Sequence, residues 1–145
     1  MIDKEFLKID SEYTTTTQEY VEVIRDLVDE NRVARVKDIA RRRGITRSSV
    51  SIALKSLHNL ELINHEHYGF VTLTQKGIEL SEILSQRHLV IQRFLRDCLK
   101  IEPQLAESEA CRLEHTMSWQ TMTALVRFVR EAEKCSVCAR IINAD

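Results

Sequence analysis

Cys111, Glu114 and His115 stand in the run Cys111-Arg112-Leu113-Glu114-His115, spaced i, i+3 and i+4. On a helix that spacing projects a thiolate, a carboxylate and an imidazole from one face, and all three are ligands for divalent transition metals. Three donors on one face do not complete a site. His88, in an earlier apolar-periodic stretch, and Glu19 and Glu22, one turn apart near the start of another, could supply the rest. A buried cysteine beside a surface ion pair reads the same residues equally well. A second group of donors is Cys135-Ser136-Val137-Cys138. A lone CxxC is half of a structural zinc site or a redox dithiol. It follows a predicted helix end, where the helix dipole disfavours a thiolate, so an inert tail or an accessory metal clamp is expected ahead of redox catalysis.

Charge points to a different chemistry. The chain has 145 residues and a formal net charge of −1, yet between Arg32 and Lys55 eight cations face only Asp38, a local charge of +7. Arg35, Lys37 and Arg47 belong to this segment, and a local basic face can bind phosphates. Within it, Thr46-Arg47-Ser48-Ser49-Val50-Ser51 reads as a helix start that is short-chained and rich in hydroxyls. Such a start can enter a major groove closely, with Arg47, Ser48, Ser49 and Ser51 reaching phosphates and base edges. A solvated, well-capped helix start is the plainer alternative. Tyr68 stands at a predicted turn tip, as a backbone contact or as an ordinary turn aromatic.

The elements that must position these residues follow from periodicity. Tyr20, Val23, Ile24, Leu27 and Val28 mark an amphipathic helix to about Glu30. Val36 to Arg43 makes a short second helix with Val36, Ile39 and Ala40 inward, Gly44 ends it, and Thr46 caps a third with Val50, Ala53, Leu54 and Leu57 inward. Three helices in this order form a helix-turn-helix pattern. The runs 62–66 and 70–74 around Tyr68-Gly69 then read as a β-hairpin, the wing of a winged helix. Thr74 caps a long helix predicted to reach about Leu99, Pro103 opens another stretch through Met117, and Ser118 caps a last helix to about Glu133. The expected fold is mainly α: an N-terminal winged helix-turn-helix with a small hairpin wing over residues 1–74, then an α-helical domain over residues 75–145.

Composition agrees. The chain is 43% apolar and 30% charged with three glycines and one proline, which argues against a β-sandwich and against a disordered linker. No run approaches the roughly 18 apolar residues of a membrane span, and MIDKEFLKID has acids where a signal peptide needs a basic start. A cytoplasmic protein without a membrane partner is expected.

From about Thr16 to Glu133 the sequence resembles the metal-dependent repressors of the diphtheria-toxin-repressor and manganese-transport-regulator family. Gln18-Glu19-Tyr20-Val21-Glu22 is similar to the family's opening helix. The run from Glu109 to Trp119 is similar to its most specific ligand motif, and Arg47-Ser48-Ser49-Val50-Ser51 and Leu73-Thr74-Gln75-Lys76-Gly77 match its recognition helix and wing exit. The resemblance implies that Glu19, Cys111, Glu114 and His115 share one metal, and that Glu22 and His88 hold a second nearby. Two departures bear on the iron branch's ancillary site: Gln92 stands where a carboxylate is usual, and Glu107 replaces a histidine. The paired-metal form is therefore expected. Hard carboxylates with a softer thiolate point to Fe(II) ahead of Mn(II), with Zn(II), Co(II) or Ni(II) able to occupy the donors in vitro.

The resemblance further implies a repressor of metal-uptake and homeostasis genes, not an enzyme, that binds a palindromic operator on double-stranded DNA as a homodimer. Metal would tie Glu19 and Glu22 to His88 and the Cys111 helix and so set the two recognition helices about 34 Å apart. Ile91, Leu95, Trp119 and Leu125 are candidates for the dimer interface or, alternatively, for intramolecular core. The rival reading is a winged-helix regulator that responds to an organic effector or to thiol oxidation.

Overall fold

A computed structural model describes residues 12–66 and 69–134, with the backbone alone for Glu133. Tyr68, Cys135 and Cys138 lie outside the described residues. The chain forms two compact units, Tyr13–Glu82 and the residues from Ile83 onward together with Glu12.

In the first unit, α1 (Thr15–Asn31) begins where the Thr14 hydroxyl accepts the Thr17 N–H, one turn earlier than the apolar stripe suggests. Its inward face buries Tyr20, Val21, Ile24 and Leu27, whereas Val23 and Val28 are half-buried. Gln18 is also buried, because its amide can donate to the Tyr13 carbonyl at 3.0 Å. Helix α2 (Val36–Arg43) ends at Gly44, whose φ of 66° is the left-handed conformation that a residue without Cβ adopts freely. Helix α3 (Arg47–Asn59) starts where the Thr46 hydroxyl accepts the Ser49 N–H at 3.2 Å, and it buries Val50, Leu54 and Leu57.

The wing has one strand more than the sequence suggests. β1 (Ala34–Arg35), β2 (Ile63–His65) and β3 (Phe70–Leu73) form an antiparallel sheet in the order β1-β3-β2, with Ala34 opposite Val71 and Ile63 opposite Leu73. β1 is too short to carry an alternating pattern, so only the pairing partner reveals it.

Helix α4 runs Gln75–Arg93. Thr74 fixes its start twice over, donating to the Glu61 carbonyl at 2.6 Å and accepting from the Gly77 N–H at 3.1 Å. A Cβ at Gly77 would stand 2.1 Å from the Leu62 carbonyl oxygen, so only glycine lets this turn lie on that backbone. The helix does not continue regularly to Leu99. It widens into a π-helical turn over Phe94–Cys98, closed by the Leu99 N–H on the Phe94 carbonyl and ended by Lys100 at φ 57°.

In the second unit, α5 (Pro103–Leu113) carries proline in its first turn, and α6 (Trp119–Lys134) follows Ser118, whose hydroxyl accepts the Thr121 N–H. The core here is Ile91, Ala110, Met122 and Val126, with Leu95 and Leu125 packed against it. Of the four candidate interface residues, Ile91, Leu95 and Leu125 therefore serve the core, and Trp119 is exposed. No described helix is long and apolar enough to cross a membrane.

Candidate functional site

The donor group of the second unit is built around Glu114. Helix α5 stops at Leu113, so Glu114 is its C-cap and His115 lies in the following turn. Cys111 is exposed and Glu114 is 2% exposed, so the two side chains meet different surroundings. Beyond Leu113 the chain turns on one carbonyl, which accepts the Thr116 N–H across three residues and the Met117 N–H across four.

His88, on α4, approaches this carboxylate. Its Nδ1 lies 3.3 Å from one Glu114 oxygen and its Nε2 lies 3.1 Å from Glu107, while His115 Nε2 is 3.6 Å from the other Glu114 oxygen. An imidazole facing a carboxylate at each nitrogen donates to both only as the imidazolium. Accordingly, the hydrogen bond to Glu114 raises the His88 pKa to about 9, with Glu107 adding to it and burial opposing. Two imidazoles converging on a buried carboxylate make a nitrogen and oxygen donor set that suits a divalent transition metal better than Mg(II) or Ca(II). The buried Arg87 donates to the Met117 carbonyl at 2.7 Å and so ties α4 to the turn that presents Glu114 and His115.

Sequence reasoning treated Glu107 only as a departure from the family pattern and missed Arg87. Glu107 was findable, because it sits two helical turns before Glu114. Arg87 had no such signal, since a charged residue in a helical stripe reads as surface.

In the first unit, Glu19 pairs with Arg43 at 2.7 Å, and Arg43 also lies over the Tyr20 ring. Glu22 is half-buried on the same helix. Arg42 holds Glu30 through both carboxylate oxygens. Two of the cations counted in the +7 segment are thus turned back onto α1.

The remaining cations face outward. Arg35, Lys37, Arg47 and Lys55 are exposed, as are Ser48, Ser49 and Ser51. Arg35 is steadied by the Phe70 ring at 5.2 Å. A cleft of about 700 Å³ beside α2 has Arg35, Lys37, Arg41 and Arg42 along its lining with Glu30 and Asp38. The Ser51 hydroxyl donates to the Arg47 carbonyl, which leaves its lone pairs outward at the start of α3.

Comparisons with known proteins agree with both halves. The model of the iron-dependent repressor N-terminal DNA-binding domain matches residues 12–71, and that of the iron-dependent repressor metal-binding and dimerisation domain matches residues 74–143. An HTH-type transcriptional regulator of Methanocaldococcus jannaschii is 34% identical over 115 residues, covering 79% of this chain and 92% of that protein. The transcriptional regulator MntR of Salmonella typhimurium is 34% identical over 113 residues, covering 78% of this chain and 71% of MntR. A solved manganese-dependent transcriptional repressor in complex with manganese superposes with a TM-score of 0.68 at 27% identity, over 79% of this chain. The chain spans about half of that solved protein, 52% of its length. With a DNA-binding domain followed by a metal-binding one, and relatives matched over most of both chains, this chain belongs to the iron-dependent repressor family of metal-dependent transcriptional regulators.

Proposed function

We propose that this chain is a repressor of metal-uptake and homeostasis genes, binding a palindromic double-stranded operator as a homodimer when Fe(II) or Mn(II) is bound. The observation that carries the reading is the buried Glu114 carboxylate with His88 and His115 on its two oxygens. It lies inside the stretch matching the family's metal-binding domain. Residues 1–74 are assigned to DNA reading and residues 75–145 to metal binding and dimerisation. The organic-effector alternative has no comparable support.

His88, Glu114, His115 and Cys111 are assigned as metal donors, with Glu19 and Glu22 completing the set by the sequence resemblance. A divalent cation supplies the positive charge that the imidazolium of His88 otherwise brings to the two carboxylates. To hold a metal, His88 would have to give up the proton on the ligating nitrogen, because a ring nitrogen cannot carry a proton and ligate at once. Arg43 is the counter-charge that Glu19 has without metal. On the DNA side, Arg47, Ser48, Ser49 and Ser51 are assigned to base edges and phosphates, and Arg35, Lys37 and Tyr68 to the backbone. Trp119 and Phe128, 46% and 53% exposed on α6, are assigned to the dimer contact. Cys135 and Cys138 are assigned an accessory metal role, the protein as a whole a cytoplasmic one without catalysis.

The test uses a duplex selected from a random-sequence pool by the full chain in Mn(II) or Fe(II). Metal is expected to tighten binding of that duplex by about 10-fold to 100-fold, a coupling of about 1.4 to 2.8 kcal/mol. Glu114→Ala and His115→Ala are expected to abolish the coupling and the metal-induced rise in melting temperature. Equal affinity with and without metal in all three proteins overturns the reading.

A further inference from the structure

We infer that Ile52 is a base-reading residue that recognises the 5-methyl group of thymine in the major groove. The inference rests on the DNA-binding reading and deepens it by naming the base and the chemistry of the contact.

Ile52 is 71% exposed, the most solvent-exposed large apolar side chain among the described residues. Its place on α3 makes that exposure informative. The helix is anchored by Val50, Leu54 and Leu57, all buried. At 3.6 residues per turn, Ile52 points within about 15° of the direction opposite their mean. The core therefore neither uses this side chain nor touches it.

A β-branched residue is also a poor choice for an exposed helix position, where it loses rotamer freedom and gains no burial. Its surroundings are otherwise polar: Ser48 stands one turn before it, Ser56 one turn after, and Lys55 beside it, all exposed. Small hydroxyls on both sides leave the branched aliphatic side chain of Ile52 as the tallest apolar feature of the outward face. Arg47 and Lys55 flank it with positive charge that draws phosphates alongside.

A duplex presents one apolar group in its major groove, the thymine methyl, and aliphatic side chains meet it by simple contact. Ile52 has no polar atom and cannot read hydrogen-bond patterns, so the methyl is the one base feature from which it gains. Ser48 can donate or accept at any base, and Ser51, whose proton goes to the Arg47 carbonyl, can only accept, so the two add little discrimination of their own. The contact consequently assigns to this position a preference for thymine over cytosine and uracil.

The test takes the selected duplex and replaces each thymine in turn by deoxyuridine, which keeps base pairing and removes only the methyl. Affinities of the metal-loaded full chain and of Ile52→Ala are measured by fluorescence anisotropy. At one thymine per half-site the wild type is expected to lose about fourfold on demethylation, the value of one buried methyl-sized group. Ile52→Ala is expected to bind the two duplexes equally, and to match the wild type on the uracil duplex. Circular dichroism should be unchanged and melting unchanged or slightly raised in the variant, because the side chain has no core contact and alanine is the better helix former. If uracil is tolerated everywhere by the wild type, or if the penalty survives undiminished in Ile52→Ala, the inference is overturned while DNA binding stands. If no duplex is selected at all, the DNA-binding reading falls and takes the inference with it.

Discussion

The two units handle charge in opposite ways. Among the described residues of Tyr13–Glu82, Arg42 with Glu30 and Arg25 with Asp29 pair at the surface, Arg43 with Glu19 is part-buried, and the buried polar side chains are the neutral Gln18 and Ser81. Among the described residues from Ile83 onward the buried polar side chains include Arg87, Glu114 and His115, and His88 bridges Glu114 to Glu107. Surface pairs cost little to exchange for other partners, such as phosphates, because water already screens them. A buried carboxylate cannot stay uncompensated and must hold a proton, a cation or an ion-pair partner. The first unit is thus built to offer charge outward, and the second to demand it inward.

Three measurements test this contrast. The largest effect is expected at Gly77, where stability of the wing exit rests on backbone contact and not on charge. Gly77→Ala forces a Cβ onto the Leu62 carbonyl, and a loss of about 3 kcal/mol or more is expected from denaturant midpoints. A near-neutral result would show that the turn can move aside.

The second concerns pH. His88 titrates at about 9 in the folded chain against an ordinary 6.5. The folded state therefore binds the proton more tightly, and the stabilisation is complete below pH 6.5 and lost as pH rises through 9. Metal-free protein is expected to lose about 1 to 2 kcal/mol across that window, after allowance for solvent screening at this half-buried site. His88→Gln is expected to flatten the profile, and an unchanged profile would remove the inward demand from the contrast.

The smallest effect is expected at Arg42 and Glu30. A double-mutant cycle of Arg42→Ala and Glu30→Ala should return a coupling of about 0.5 kcal/mol, falling further at high salt. A coupling of 2 kcal/mol or more would show that the first unit, too, depends on fixed internal charge.

Much of this was legible residue by residue. The caps Thr46 and Ser118, the left-handed Gly44 and the stripes of α1, α2 and α3 are local devices, decided within one or two turns. The hydroxyl-rich start of α3 and the candidates Glu114, His115 and His88, which the fold brings together, were named from type and spacing alone. Other features depend on partners far along the chain. β1 exists because Ala34 and Arg35 meet Phe70 and Val71, and the outward charge of the +7 segment shrinks because Arg42 and Arg43 reach back to α1. The π-helical turn at Phe94–Cys98 and the burial of Glu114 beside an exposed Cys111 likewise depend on packing and not on spacing.

Sequence alone determined the order of the helices, the family and the side-chain types that gather around Glu114, because helix caps, apolar periods and residue chemistry act over short separations. Tertiary structure decided which charges point outward, which carboxylate is buried and which histidine compensates it. Those outcomes depend on the free energy of removing a charge from water, and that is set by what packs around the group in space and not by its neighbours along the chain.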